Sequence, residues 1–146
     1  MFSLLGEKDI SSIMCWHKEQ LPFGLIEYLS ENGIKVVLDA DPTLKAGLTG
    51  AFAAVADTGT LALHSGPERL QAASLLPEVH IVVLYSRDIY SSMDQVLNLE
   101  EISDSAAISL ISGPSRTADI EMTLTIGVHG PKEVHVFCMS DGGGNN

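Results

Sequence analysis

His80-Ile81-Val82-Val83-Leu84 is a run of aliphatic, mostly β-branched side chains with no polar alternation after its first position. A strand with one wet face alternates apolar and polar residues, whereas a strand covered on both faces does not. The run therefore predicts a strand buried inside an α/β sheet, where parallel neighbours and covering helices remove it from water.

Segments on either side of this strand extend the pattern. Leu21-Pro22 is expected to open a helix, because proline is tolerated in a first turn; Leu25, Ile26 and Leu29 form its stripe and Gly33 its stop. Ile34–Leu38 reads as a strand ending at Asp39-Ala40-Asp41-Pro42. Ala51–Ala56 and Leu61–Leu63 read as two short strands around the turn Asp57-Thr58-Gly59-Thr60. Pro67–Leu76 is expected to be helical or irregular, Ser92–Leu99 helical, Ala107–Ile111 a strand and Ala118–Leu124 a short helix. Val134–Met139 closes the series as a strand with Val134, Val136 and Cys138 on one face, and Cys138 reads as core. The expected fold is α/β, an open and mostly parallel sheet with helices on both faces. Residues 16–139 are expected to form one domain, after a loose or short N-terminal extension over 1–15 and before a flexible Gly/Asn tail over 140–146.

The 146 residues carry eight Lys and Arg against 19 Asp and Glu, a formal charge of −11. The length suits one domain that needs no stapling. The scattered cations argue against nucleic acid and against an anionic membrane surface. Two cysteines, Cys15 and Cys138, make no disulfide framework and no cluster or zinc spacing, so no metal site is expected. The N-terminus lacks the pattern of a signal peptide. The apolar stretch Ala46–Leu63 fails as a membrane span, being interrupted by threonines, glycines and Asp57. A cytoplasmic protein is expected.

Ligands of open α/β sheets sit beyond the carboxyl ends of the strands. Three segments at the ends of predicted strands are rich in Gly, Ser, Thr and Pro: 56–60, 112–121 and 127–132. They supply the candidate ligand-binding residues Thr58, Gly59, Thr60, Ser112, Gly113, Ser115, Arg116, Thr117, Asp119, Glu121, His129, Gly130 and Lys132. Gly113 permits close backbone approach, and Arg116 beside hydroxyls and free amides can meet a carboxylate or phosphate. A structural arrangement stands equally open, with Arg116 paired to Asp119 or Glu121 and the hydroxyls capping a helix. Thr58-Gly59-Thr60 likewise reads as a turn or as a contact to a ligand's polar group. No P-loop, GxGxxG or nucleophile elbow is present.

These segments, in this order, resemble the LUD domain family, typified by lactate utilisation protein C. Ala56-Asp57-Thr58-Gly59-Thr60-Leu61 is similar to its A-[DE]-T-G-T-L signature, and Ser74–Val83 to its SLLPxxHIVVV strand. Ile111–Glu121 and Gly127–Glu133 resemble its C-terminal hallmark, while Trp16 and Leu21-Pro22 fit less distinctively. The resemblance implies a fold similar to the NagB/RpiA/CoA-transferase superfamily. It also implies a part in oxidising L-lactate to pyruvate, with iron–sulfur clusters carried by a partner and none by this chain. Family members usually have a further N-terminal region before the Trp, and many place Glu where Asp57 stands. A stand-alone enzyme or binder of a small anionic metabolite (CoA ester, sugar phosphate or hydroxy acid) is the alternative, and a homo-oligomer is a further expectation.

Overall fold

The computed structural model describes residues 1–114 and 130–141. Its elements run α1 (Phe2–Glu7), β1 (Ser12–Cys15), α2 (Leu25–Glu31), β2 (Lys35–Val37), β3 (Ala46–Gly50), β4 (Ala53–Val55), β5 (Thr60–Ser65), α3 (Ala72–Leu75), β6 (Val79–Tyr85), β7 (Ile89–Tyr90), α4 (Met93–Leu97), α5 (Glu100–Asp104), β8 (Ala107–Ile111) and β9 (Glu133–Met139).

A five-stranded sheet in the order β2-β1-β3-β6-β9 is parallel at every pairing. The strand read from His80–Leu84 is its β6, buried from Val79 to Leu84. The architecture is thus the expected α/β one, with a second layer added. A smaller sheet, β7-β4-β5-β8, pairs antiparallel at β4–β5 and β5–β8. Ala107–Ile111 forms its edge and so does not extend the main sheet as one open sheet would require.

Ala51 and Phe52 carry the chain from one sheet to the other. The Ala51 amide donates to Val83 in the parallel sheet, and the Phe52 amide donates to Ala62 in the smaller one. Alternation then splits the core. Ala54, Leu61 and Leu63 join the main cluster with Ile81, Val83 and Leu84, whereas Ala53, Val55 and Ala62 face Val96, Met93 and Ile102 of α4 and α5. Gly47 is needed where α3 meets β3: a Cβ there would sit 1.8 Å from the Ala73 carbonyl oxygen.

Three expectations need correction. Residues 1–15 are not a loose end: α1 packs Phe2 edge-on against Tyr28 of α2, and β1 lies between β2 and β3. Ile13, Met14 and Cys15 are fully buried there. The helix expected from Leu21-Pro22 is α2 and begins at Leu25, because Gly24 at φ +79° breaks the run from Pro22; it does stop before Gly33, φ +82°. Cys138 is exposed on the edge strand β9, so it is not core, while Cys15 is buried. Asp141 accepts from Arg87 at 2.7 Å; Ala118–Leu124 and Gly142–Asn146 lie outside the described residues. Among the described residues no helix is long and apolar enough to cross a membrane.

Candidate functional site

The turn joining β4 to β5 holds Asp57, Thr58 and Gly59, with Gly59 at φ +63°, a conformation that favours glycine. It is pinned from outside by the Ala56 amide on the Tyr90 carbonyl (2.8 Å) and the Asp57 amide on Ser91 (3.3 Å). Asp57 itself is exposed, so its carboxylate is solvated and needs no internal partner. At the first residue of β5, Thr60 turns inward and is only 3% exposed.

The register of β5 on β8 pairs Leu61 with Ile111. It brings the residue before Leu61 beside the residue after Ile111. Thr60 Oγ1 accordingly lies 2.8 Å from Ser112 Oγ and 2.7 Å from Thr58 Oγ1. Two segments 52 residues apart are thereby joined in a row of three hydroxyls running from a buried centre to two exposed ends. Each hydroxyl can donate one bond and accept others, so the row can reorient toward an incoming polar group. Among the described residues no carboxylate or imidazole is hydrogen-bonded to these hydroxyls. The arrangement suits binding and orientation.

Beside the row, the two sheets leave a cavity of about 380 Å³. Ala54 and Leu61 wall it from the smaller sheet, Leu84, Val134 and Val136 from the parallel one, and Gly59 and Gly113 present backbone to it. Gly113, at φ +127°, turns the chain after Ser112. The lining side chains are all apolar, and the hydroxyl row adjoins the cavity through its chain neighbours Gly59 and Gly113 without lining it.

Thr58, Gly59, Thr60, Ser112 and Gly113 are therefore brought together. Lys132 is not with them. It lies at the amino end of β9, where its ammonium pairs with Glu78 at 2.8 Å, directly after Gly130 and Pro131. Ser115, Arg116, Thr117, Asp119, Glu121 and His129 lie outside the described residues.

Sequence reading missed two histidine sites. His80 is completely buried, with Nε2 2.8 Å from Thr49 Oγ1 and Nδ1 without a partner among the described residues. Burial pushes its pKa down to about 4, so the ring is neutral. His64 stacks on Phe52 and contacts Ser105 Oγ through Nδ1. The Ser105 hydroxyl donates to the Glu101 carbonyl at 2.6 Å, so it accepts from His64 and is not activated by it. Burial, then the Arg69 charge, holds the His64 pKa below its ordinary value. A 520 Å³ groove, with Arg69, Glu101 and Asp104 along its wall, opens beside this pair. The partners lie 31 and 41 residues away in sequence, so no local pattern announces either pair. Among the described residues no group of three or more His, Cys, Asp or Glu side chains is placed to hold a metal.

Comparison with known proteins agrees with this fold. Lactate utilization protein C of Halalkalibacterium halodurans is 31% identical over 144 residues, covering 88% of this chain and 63% of that protein. The Bacillus subtilis protein of the same name is 30% identical over 132 residues, covering 86% and 54%. An uncharacterized protein of Neisseria meningitidis serogroup B is 36% identical over 99 residues, covering 66% and 42%. The chain spans about half the length of these curated relatives. A DUF162 family protein from Deinococcus radiodurans, known from its crystal structure, superposes with a TM-score of 0.56. At 19% identity, over 96% of this chain and 93% of that one, it shares the fold. The sequence profile of the LUD domain matches residues 11–139, so the chain belongs to the LUD domain family.

Proposed function

We propose that this chain is a cytoplasmic component of a system that oxidises L-lactate to pyruvate, carrying no iron–sulfur cluster itself and working beside an iron–sulfur partner. The observation that carries this reading is the Thr58–Thr60–Ser112 hydroxyl row adjoining, through Gly59 and Gly113, an apolar cavity, in a chain whose relatives are named for lactate utilization. A hydroxy acid fits such a place, since its polar groups can exchange bonds with the hydroxyls while its methyl group meets the apolar wall. Oxidation removes two electrons and two protons from lactate. The described hydroxyls hold no electrons to exchange, so the acceptor is assigned to the partner's clusters.

Affinity purification of the chain from cells grown on lactate tests the reading. An iron–sulfur protein is expected to copurify, and deletion of the gene to impair growth on lactate as sole carbon source. Normal growth and no such partner would overturn it.

The cavity favours one further reading, a stand-alone binder of a small anionic metabolite with an apolar portion. Lactate, pyruvate, coenzyme A and sugar phosphates can be compared by thermal shift. A rise with one of them, lost in Ser112→Ala, supports binding at the row; no rise with any counts against it.

A further inference from the structure

The residues that precede the parallel strands form a second row, at the amino end of the sheet. Register aligns Ala46 with Val79 and Val79 with Glu133. The residues just before these strands begin, Lys45, Glu78 and Lys132, consequently stand side by side. Backbone bonds fix them: the Val79 amide donates to Lys45, and the amides of Lys132 and Glu133 both donate to Glu78. Lys8, just after α1, reaches the same place and pairs with Glu133 at 2.6 Å. These five side chains line a cleft of about 210 Å³.

The charge balance of this cleft is unlike that of the chain. Three of its eight Lys and Arg residues converge here with two of its 19 acids. Lys132 is engaged with Glu78, and Glu133 is shared between Lys8 and His135. Among the described residues Lys45 has no carboxylate within ion-pair distance, although its charge adds to that of Lys132 in holding the Glu78 pKa below its ordinary value. The Lys132–Glu78 pair is exposed, and such a pair is weak enough to open for a competing anion.

We propose that this cleft binds the dianionic oxygens of a phosphate group, free or carried on a small ester, with Lys45 as the anchor and Lys8 and Lys132 beside it. Three ammonium groups against two carboxylates leave this cleft net positive in a chain of charge −11, and the several oxygens of a phosphate can meet more than one ammonium at once, as a monocarboxylate's two do less well. The site lies at the opposite end of the strands from the carboxyl edge and is independent of the lactate reading.

Amide chemical-shift mapping and thermal shift with inorganic phosphate, pyrophosphate and glycerol 3-phosphate, against sodium chloride at matched ionic strength, test it. Perturbation is expected at Lys8, Lys45, Val79 and Lys132, with affinity about tenfold lower in Lys45→Met, the loss of one charge-assisted bond. Lys18→Met, an exposed lysine outside the cleft, is expected to bind as the unaltered chain does. A response to inorganic phosphate alone identifies the free ion, and one to the ester a carried group. Responses equal to those in chloride, or unchanged in Lys45→Met, would overturn the proposal.

Discussion

Thr60 Oγ1 and Ser112 Oγ, 2.8 Å apart, tie the first residue of β5 to the residue after β8. Thr60 is buried and bonds on its other side to Thr58, so it is the centre of the row. Thr60→Val keeps the shape and deletes both bonds, while Thr58 and Ser112 are exposed and can turn to water. The expected cost is about 1 kcal/mol in urea unfolding. In a double-mutant cycle with Ser112→Ala, about 0.5–1 kcal/mol of coupling is expected. Strict additivity would show that the contact contributes nothing.

Gly47 tests how closely α3 presses on the parallel sheet. An added methyl group would lie 1.8 Å from the Ala73 carbonyl oxygen and 2.8 Å from its carbon, both backbone atoms with little freedom to yield. Gly47→Ala is expected to cost about 3 kcal/mol or more, or to prevent folding. A variant with an unchanged urea midpoint would mean that α3 can move away.

His80 makes stability depend on pH in a definable window. Its folded pKa, about 4, lies below its ordinary value of 6.5, so the unfolded chain binds the proton more tightly. Stability is full above pH 6.5 and falls as pH drops from there toward 4. The loss attributable to this ring is about 2 kcal/mol by pH 5, at about 1.4 kcal/mol for each pH unit. Carboxylates superimpose their own trends, so the informative quantity is the difference between the parent and His80→Asn. Parallel pH profiles for the two would remove His80 as the cause.

The two cysteines should separate cleanly by reactivity. Cys15 is fully buried in β1, and burial pushes its thiol pKa up to about 12, whereas Cys138 is exposed on β9. A thiol reagent at pH 8 is expected to modify one thiol in the native protein and two in denaturant. Rapid modification of both would mean that β1 opens readily.

Much of this structure was legible where a segment states its own environment. The unbroken β6 run, the turn between β4 and β5 and the stop at Gly33 each follow from local chemistry. Ser12-Ile13-Met14-Cys15 does not announce a central strand, because four residues with one β-branched side chain carry little strand preference. Its burial is conferred by β2 and β3. β3 is obscured by its glycines, of which Gly47 answers to a neighbour 26 residues later. The hydroxyl-rich segments of the site could be found in sequence, but their meeting depends on antiparallel register. Lys132 belonged to a candidate segment on paper, and strand direction places it at the opposite end of the sheet.

Neither sheet is contiguous along the chain. β4 and β5 of the smaller sheet are inserted between β3 and β6, and β7 and β8 fall between β6 and β9. During synthesis the parallel sheet therefore waits for β9, the last strand among the described residues, until β8 of its companion has left the ribosome. The smaller sheet can have all its strands before β9 emerges, whereas the parallel sheet cannot. The two are expected to form and melt as one cooperative unit, with slow folding dominated by distant pairings. Before β9 arrives, the flank of β6 is an open edge able to pair with another nascent chain.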